Sequence, residues 1–271
     1  MLQNISENSK AVLFREDNGA VAILTLNRPS ARNSLSEEML SALSVAFDEI
    51  SASKQIKVVI LAANGPVFCA GHDIREMQTH RDDADGGAKF FSEMFDACSM
   101  VMQKIVHCPK PVIAAVEGTA TAAGCQLVAT CDLAVASTEA KFCTPGVHIG
   151  LFCSTPAVAV ARNVGRKRAM EMLLLGDMID AEDACDYGLV NRVVAKDKVV
   201  PTAMQFAETI ASKSMGANAI GKKTFYNQIN APMDEAYTCA SKAMVENMLI
   251  DDADEGLSAF LEKRAPKWRD S

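Results

Sequence analysis

The sequence predicts a wound α/β core followed by an all-helical C-terminal region. Three observations carry this. Short runs such as Val58–Leu61 and Val112–Val116 are apolar throughout, as strands covered on both faces are. They alternate with segments whose apolar residues recur at helical spacing, a rhythm that builds layered α/β cores rather than sandwiches. From Lys198 onward only the helical spacing persists. A core over residues 1–197 and a helical region over 198–271 follow, with no clear linker between them.

The elements can be read in chain order. Ala11–Phe14 and Val21–Leu26 flank Asp17-Asn18-Gly19, a hairpin signal because Asn-Gly adopts tight turns readily. Ser36 before Glu37 and Glu38 caps a helix whose apolar face is Met39, Leu40, Leu43, Phe47 and Ile50. Val58–Leu61 is a buried strand, and a helix carrying Phe91, Met94, Phe95, Cys98, Met102 and Ile105 on its core face leads to the strand Val112–Val116. A helix from about Ala122 to Thr130 precedes the short strand Leu133–Ala136. A further strand, Leu189–Val194, follows the helix-stop glycine Gly188. In the C-terminal region the apolar positions are Ala203, Phe206, Ala207 and Ile210, then Ala240, Met244 and Met248.

The bulk composition narrows the function classes. With 271 residues, 49% hydrophobic and 23% charged, the chain has ample material for a folded core. A net charge of -7 disfavours nucleic acid and anionic membranes as partners, because both demand a basic surface. Nine cysteines, an odd number without a Cys-x-x-Cys pair, and four dispersed histidines argue for reduced, buried thiols and against a metal site. The N-terminus carries no charged-then-apolar signal, so a soluble cytoplasmic protein is expected.

Two glycine-containing loops carry the chemistry. Phe68-Cys69-Ala70-Gly71-His72-Asp73 follows a strand, and open α/β sheets bind ligands at the carboxyl ends of their strands. Gly71 lets the backbone approach a ligand, with the His72 N–H pointing outward. The second loop, Ala122-Ala123-Gly124-Cys125-Gln126, opens a helix, whose first turn has free N–H donors and a dipole that favours negative charge. Two such donors would form an oxyanion hole. Plain turn geometry and close helix packing are the competing readings of the same small residues.

Four motifs occurring in order make the chain similar to a known family: Asn27-Arg28-Pro29 with Asn33-Ser34-Leu35, Gly65–Asp73, Lys110–Gly118 and Gly188-Leu189-Val190. It resembles the crotonase, or enoyl-CoA hydratase/isomerase, family from about Asn27 to Arg264. The resemblance implies a crotonase-like spiral of ββα units with a C-terminal helical trimerisation region, assembled as a homotrimer or dimer of trimers. It implies an enzyme acting on an acyl-CoA thioester, with coenzyme A part of the substrate and no separate cofactor. It places the oxyanion donors on His72 and Ala123 and the CoA pocket around Arg28, Arg32, Ala70, Asp73 and Ile74. Phe260 and Lys263 fall at positions that touch the CoA of a neighbouring subunit.

Hydratases of the family hold water between two glutamates, and here Gln126 and Gly146 occupy those places. Gln126 cannot ionise and Gly146 has no side chain. Each positioned acid or base contributes roughly 10²–10⁴, so hydratase activity is expected to be weak or absent. Losing carbon dioxide from a malonyl-type thioester would generate an enolate without a base. Ala70–Asp73 resembles the corresponding loop of methylmalonyl-CoA decarboxylase, although Cys153 stands where that enzyme has a tyrosine. Cys153 and His148 are the remaining candidates for nucleophile or base, against the plainer reading of a small buried hydrophobe and a surface or packing residue. A non-catalytic acyl-CoA-binding scaffold is the alternative from another class.

Overall fold

The computed structural model describes residues 11–269. The N-terminal segment read for a targeting signal lies outside them. In chain order the strands and helices are β1 (Leu13–Asn18), β2 (Val21–Leu26), α1 (Glu37–Ala52), β3 (Val58–Ala63), β4 (Val67–Cys69), α2 (Ile74–Thr79) and α3 (Ala88–His107). Next come β5 (Val112–Val116), β6 (Thr119–Thr121), α4 (Ala123–Thr130), β7 (Leu133–Ser137), β8 (Lys141–Cys143), α5 (Ser154–Asn163) and α6 (Arg166–Leu175). The chain continues through β9 (Ile179–Asp180), α7 (Ala181–Asp186), β10 (Arg192–Val194), α8 (Val199–Ala211), α9 (Met215–Gln228), α10 (Met233–Met248) and α11 (Asp251–Leu261).

Two sheets organise these elements. The larger has the order β1-β2-β3-β5-β7-β10, parallel throughout except for the β1–β2 hairpin. The smaller has the order β4-β6-β8-β9. The pairs β3/β4, β5/β6 and β7/β8 each place their first strand in the large sheet and their second in the small one, so the chain winds as a spiral of ββα units. Strand pairs of this kind need close backbone approaches. A Cβ on Gly118 would lie 2.1 Å from the Pro66 carbonyl oxygen, and one on Gly124 2.1 Å from that of Cys69.

Most sequence-derived elements stand where the pattern puts them. The Asn18–Val21 pair closes the hairpin around Gly19, whose φ of +59° suits glycine. Ser36 Oγ accepts the Met39 N–H at 3.2 Å, and Met39, Leu40, Leu43, Phe47 and Ile50 are buried. Three readings need correction. Phe90, not Phe91 or Phe95, is the buried phenylalanine of α3, and Phe95 is 36% exposed. Phe68 and Cys69 belong to β4 rather than to a turn. The last strand begins only at Arg192, because the N–H groups of Leu189 and Val190 cap α7 by donating to the Ala184 carbonyl at 2.8 and 3.3 Å.

The C-terminal helices differ in how they meet the core. Val199, Ala203 and Ala207 of α8 pack on Val58, Ile60, Ile113 and Val135 of the large sheet. Helix α9 buries no residue fully and is fastened by polar groups. Lys222 Nζ donates to Asp132 Oδ2 at 2.7 Å and to the carbonyls of Ile105 and Lys110, while Tyr226 Oη donates to Asp132 Oδ1 at 2.9 Å. Large apolar side chains on α9 to α11 face solvent in the single chain, among them Phe225, Tyr237, Met244, Met248 and Phe260. Among the described residues no helix is long and apolar enough to cross a membrane.

Candidate active site

The two glycine loops meet. A Cβ on Gly71 would fall 2.9 Å from the Ala122 Cβ and 3.3 Å from the Ala123 nitrogen, so only a glycine lets these segments close together. Gly71 also has a φ of +91°, which side-chain-bearing residues rarely adopt. On the opposite side of the first loop, Leu35 donates its N–H to the Gly71 carbonyl at 2.8 Å and accepts the Asp73 N–H at 3.2 Å. Neighbouring residues of extended chain point their backbone groups to opposite sides. The His72 N–H therefore faces away from Leu35.

That second loop is strained where it matters. Ala122, at the N-cap of α4, has φ 50° and ψ −118°, a conformation that costs a residue with a side chain on the order of 1–3 kcal/mol. Its own N–H is used by the Cys143 carbonyl at 2.9 Å. Ala123 is the first helical residue, and its N–H has no intrahelical acceptor. Two backbone donors converging at a helix N-terminus can stabilise an anionic oxygen.

The remaining sequence-derived residues fall in three groups. Arg28, Arg32, Ala70, Asp73 and Ile74 form one rim. The Ala70 N–H donates to the Arg32 carbonyl at 3.0 Å, Arg28 Nη2 pairs with Asp73 Oδ2 at 3.1 Å, and Ile74 is exposed. Asp73 also caps α2 through the Arg75 N–H at 3.1 Å. Burial alone would raise its carboxyl, but the Ser34 hydroxyl, the Arg28 guanidinium and the Arg75 N–H hold it below the usual carboxylate value. Phe260 is 80% exposed at the end of α11, with Lys263 just beyond.

The third group lies around Gly146. A Cβ on Gly146 would meet the Cys153 sulfur and the Leu151 carbonyl oxygen, each at 2.9 Å, so the thiol already fills the space a side chain there would need. Cys153 is buried, and that burial raises its pKa, only partly offset by the Gly146 N–H. Burial pushes the nearby Cys143 thiol up to about 12. His148 is spoken for, its Nε2 lying 2.8 Å from the Leu175 carbonyl oxygen. Gln126 is 4% exposed, and His72 is a neutral imidazole whose pKa burial lowers to about 4. Glu139 is exposed and paired with Lys196 at 3.2 Å. Burial keeps the Cys143 and Cys153 thiols and the His72 imidazole uncharged, and Asp177 lies close enough to Cys143 to raise its thiol further.

One residue that the sequence offered only as part of a motif turns out to organise the rim. Asn33 is fully buried, and its amide donates to the carbonyls of Asn64 and Val67 at 2.9 and 2.7 Å while accepting the Arg28 N–H at 2.8 Å. It fixes the rim against the β3–β4 connection. Arg32 and Asn33 both have positive φ, 54° and 51°. Two adjacent non-glycine residues in that region carry little sequence signal beyond the tolerance of asparagine for it.

A ββα spiral whose adjoining loops bring backbone donors to a helix N-terminus defines a class of scaffold, and comparison with known proteins identifies it. The enoyl-CoA hydratase/isomerase family model matches residues 16–271, and the chain belongs to that family. Enoyl-CoA hydratase domain-containing protein 3, mitochondrial, from mouse (Mus musculus) is 44% identical over 263 residues, 97% of this chain and 86% of the relative. The human protein of the same name is 46% identical over 245 residues, covering 90% of this chain and 79% of the relative. A crystal structure of enoyl-CoA hydratase from Mycobacterium smegmatis superposes with a TM-score of 0.90 at 48% identity, covering 95% and 98% of the two chains. That of human enoyl-CoA hydratase domain-containing protein 3 gives 0.90 at 44%, covering 95% and 100%. The mouse, rat and human relatives are named mitochondrial, which overturns the cytoplasmic location expected from the sequence.

Proposed function

We propose that the protein binds an acyl-CoA thioester with its carbonyl oxygen between the N–H groups of His72 and Ala123, and stabilises the enolate that forms there. The observation that carries this reading is how tightly the two loops meet: a Cβ added to Gly71 would lie only 3.3 Å from the Ala123 nitrogen, next to the strained Ala122. Fixed donors of this kind act selectively on the charge that develops in the transition state. The rim of Arg28, Arg32, Ala70, Asp73 and Ile74 receives the CoA. Coenzyme A arrives as part of the substrate, and no other cofactor is invoked.

In this reading hydration of enoyl thioesters is weak, since Gln126 and Gly146 supply no proton-transfer group and Cys153 and His72 are uncharged at neutral pH. The absence of a proton-transfer group at Gln126 and Gly146 favours a second reaction, decarboxylation of a malonyl-type thioester: the C–C bond to the carboxylate breaks, carbon dioxide leaves, the electron pair of that bond becomes the enolate, and a proton from solvent water then adds to its second carbon. A trimer or dimer of trimers would cover the exposed apolar side chains of α9 to α11 and present Phe260 and Lys263 to a neighbour's CoA. Incubation with crotonyl-, malonyl- and methylmalonyl-CoA, followed by mass spectrometry of products, tests the reading. Decarboxylated product with little hydration supports it, whereas fast hydration of crotonyl-CoA contradicts it. Binding without turnover of any of them reduces the protein to a non-catalytic acyl-CoA scaffold.

A further inference from the structure

The first loop leaves the proposed oxyanion hole through a segment that is held at a few points only. Helix α2 buries no residue fully. Its start is fastened by Asp73 to Arg28 and Ser34, and its middle by the Glu37 N–H, which donates to Glu76 Oε2 at 3.1 Å. Its far end is fastened by a ring. His80 stacks on Phe90 of α3 with centroids 3.7 Å apart and planes 12° from parallel, and Phe90 is buried. Gly87 makes room for this, since a Cβ there would lie 2.6 Å from the His80 carbonyl oxygen. At the other end of the same segment His72 lies edge-on to Phe95 of α3, with centroids 5.3 Å apart. One helix thus grips both ends of residues 72–80, and the nearer end carries a proposed oxyanion donor.

We propose that His80 is a positioning residue: stacked on Phe90, it clamps α2 so that the His72 N–H and the rim residues Asp73 and Ile74 stay where an acyl-CoA thioester meets them. The proposal rests on the acyl-CoA reading above. Helix α2 is a short element that begins beside His72, so freeing its far end lets it pivot about Asp73. Backbone donors act best when they need no reorientation at the moment of use. Two contacts hold His80. Its Nδ1 lies 2.8 Å from Asp83 Oδ2, but the two side chains are 35% and 47% exposed, and exposed ion pairs contribute little. A ring packed on a buried aromatic contributes more. The ring contact, not the ion pair, is therefore the clamp.

The test is calorimetric titration of the full-length protein with butyryl-CoA, with near-ultraviolet circular dichroism as the check on folding. His80→Ala and His80→Ser are each expected to weaken binding roughly 3- to 10-fold, the equivalent of one aromatic contact. His80→Phe keeps a flat ring on Phe90 without the ion pair and is expected to restore the affinity. Asp83→Ala keeps the ring and is expected to preserve it. Isotope-edited infrared spectra of the saturated complexes separate positioning from stability alone: the displacement of the thioester carbonyl band is expected to shrink in His80→Ala and to return in His80→Phe. An unchanged affinity or an unchanged band in a folded His80→Ala or His80→Ser variant overturns the proposal. So does a loss in Asp83→Ala equal to that in His80→Ala, or a failure of His80→Phe to restore binding. In all of these cases butyryl-CoA still binds the wild type and the acyl-CoA reading stands. If the wild type does not bind it, that reading falls and takes this proposal with it.

Discussion

Replacing Gly146 by alanine is a direct probe of how tightly the space beside Cys153 is packed. The added methyl carbon would sit 2.9 Å from the Cys153 sulfur and 2.9 Å from the Leu151 carbonyl oxygen, both inside normal contact distance. Overpacking of this kind costs typically 1–3 kcal/mol, and ~2 kcal/mol is a fair expectation here because one of the two obstacles is backbone. Cys153→Ala removes the sulfur but leaves the Leu151 oxygen. Gly146→Ala should then cost only about 1 kcal/mol, a coupling energy of about 1 kcal/mol between the two sites. Urea unfolding of the wild type, both single variants and the double variant measures it, at one fixed protein concentration because association shifts apparent stability. A cost below about 0.5 kcal/mol for Gly146→Ala, or equal costs in the two backgrounds, would refute the packing argument. The consequence for activity is that Gln126→Glu with Gly146→Glu should gain little hydratase activity unless Cys153→Ala is added.

Other outcomes follow from the same geometry. His72 has its pKa lowered from 6.5 to about 4, so the unfolded chain binds its proton more readily. Its contribution to stability, about 3 kcal/mol, is complete above pH 6.5 and is lost as pH falls through 4. Magnetic-resonance titration of its ring should show no protonation above about pH 5.5, and a midpoint near the ordinary histidine value would contradict this. Asp132→Ala strands Lys222, whose side chain is 7% exposed, and should destabilise by about 3 kcal/mol with faster amide exchange in α9. A loss under about 1 kcal/mol would show that the carbonyls of Ile105 and Lys110 suffice. Gly71→Ala combines a φ of +91° with a methyl 3.3 Å from the Ala123 nitrogen. Strain of about 1–3 kcal/mol released by parting the loops should weaken butyryl-CoA binding roughly ten-fold or more. Unchanged calorimetric affinity would mean the two loops do not act together.

The fold was readable because its determinants are local. Val58–Leu61 and Val112–Val116 announce parallel strands by being apolar on both faces, and Ser36 marks a helix start by its capping chemistry. The short second strands β4 and β6 were not readable, since three-residue segments have no period and depend on Gly118 and Gly124 meeting Pro66 and Cys69 across the chain. Phe95 misled for a similar reason. It follows the helical spacing of a core residue, yet its ring sits edge-on to His72 with centroids 5.3 Å apart, a partner more than twenty residues away. Of the site, the meeting of the two glycine loops was readable, since Gly71 packs against Ala122 and Ala123. What the chain pattern could not convey is that Cys153 fills the space beside Gly146, that Asn33 locks the rim, and that Asp132 holds α9.

The central claim is that backbone donors, without a side-chain base, polarise a thioester carbonyl at His72 and Ala123. Isotope-edited infrared difference spectroscopy of butyryl-CoA labelled at the carbonyl carbon tests it independently of any turnover. The account predicts that the labelled carbonyl band moves to lower frequency on binding, and that Gly71→Ala diminishes the movement. A bound thioester whose carbonyl band stays at its solution position would contradict it.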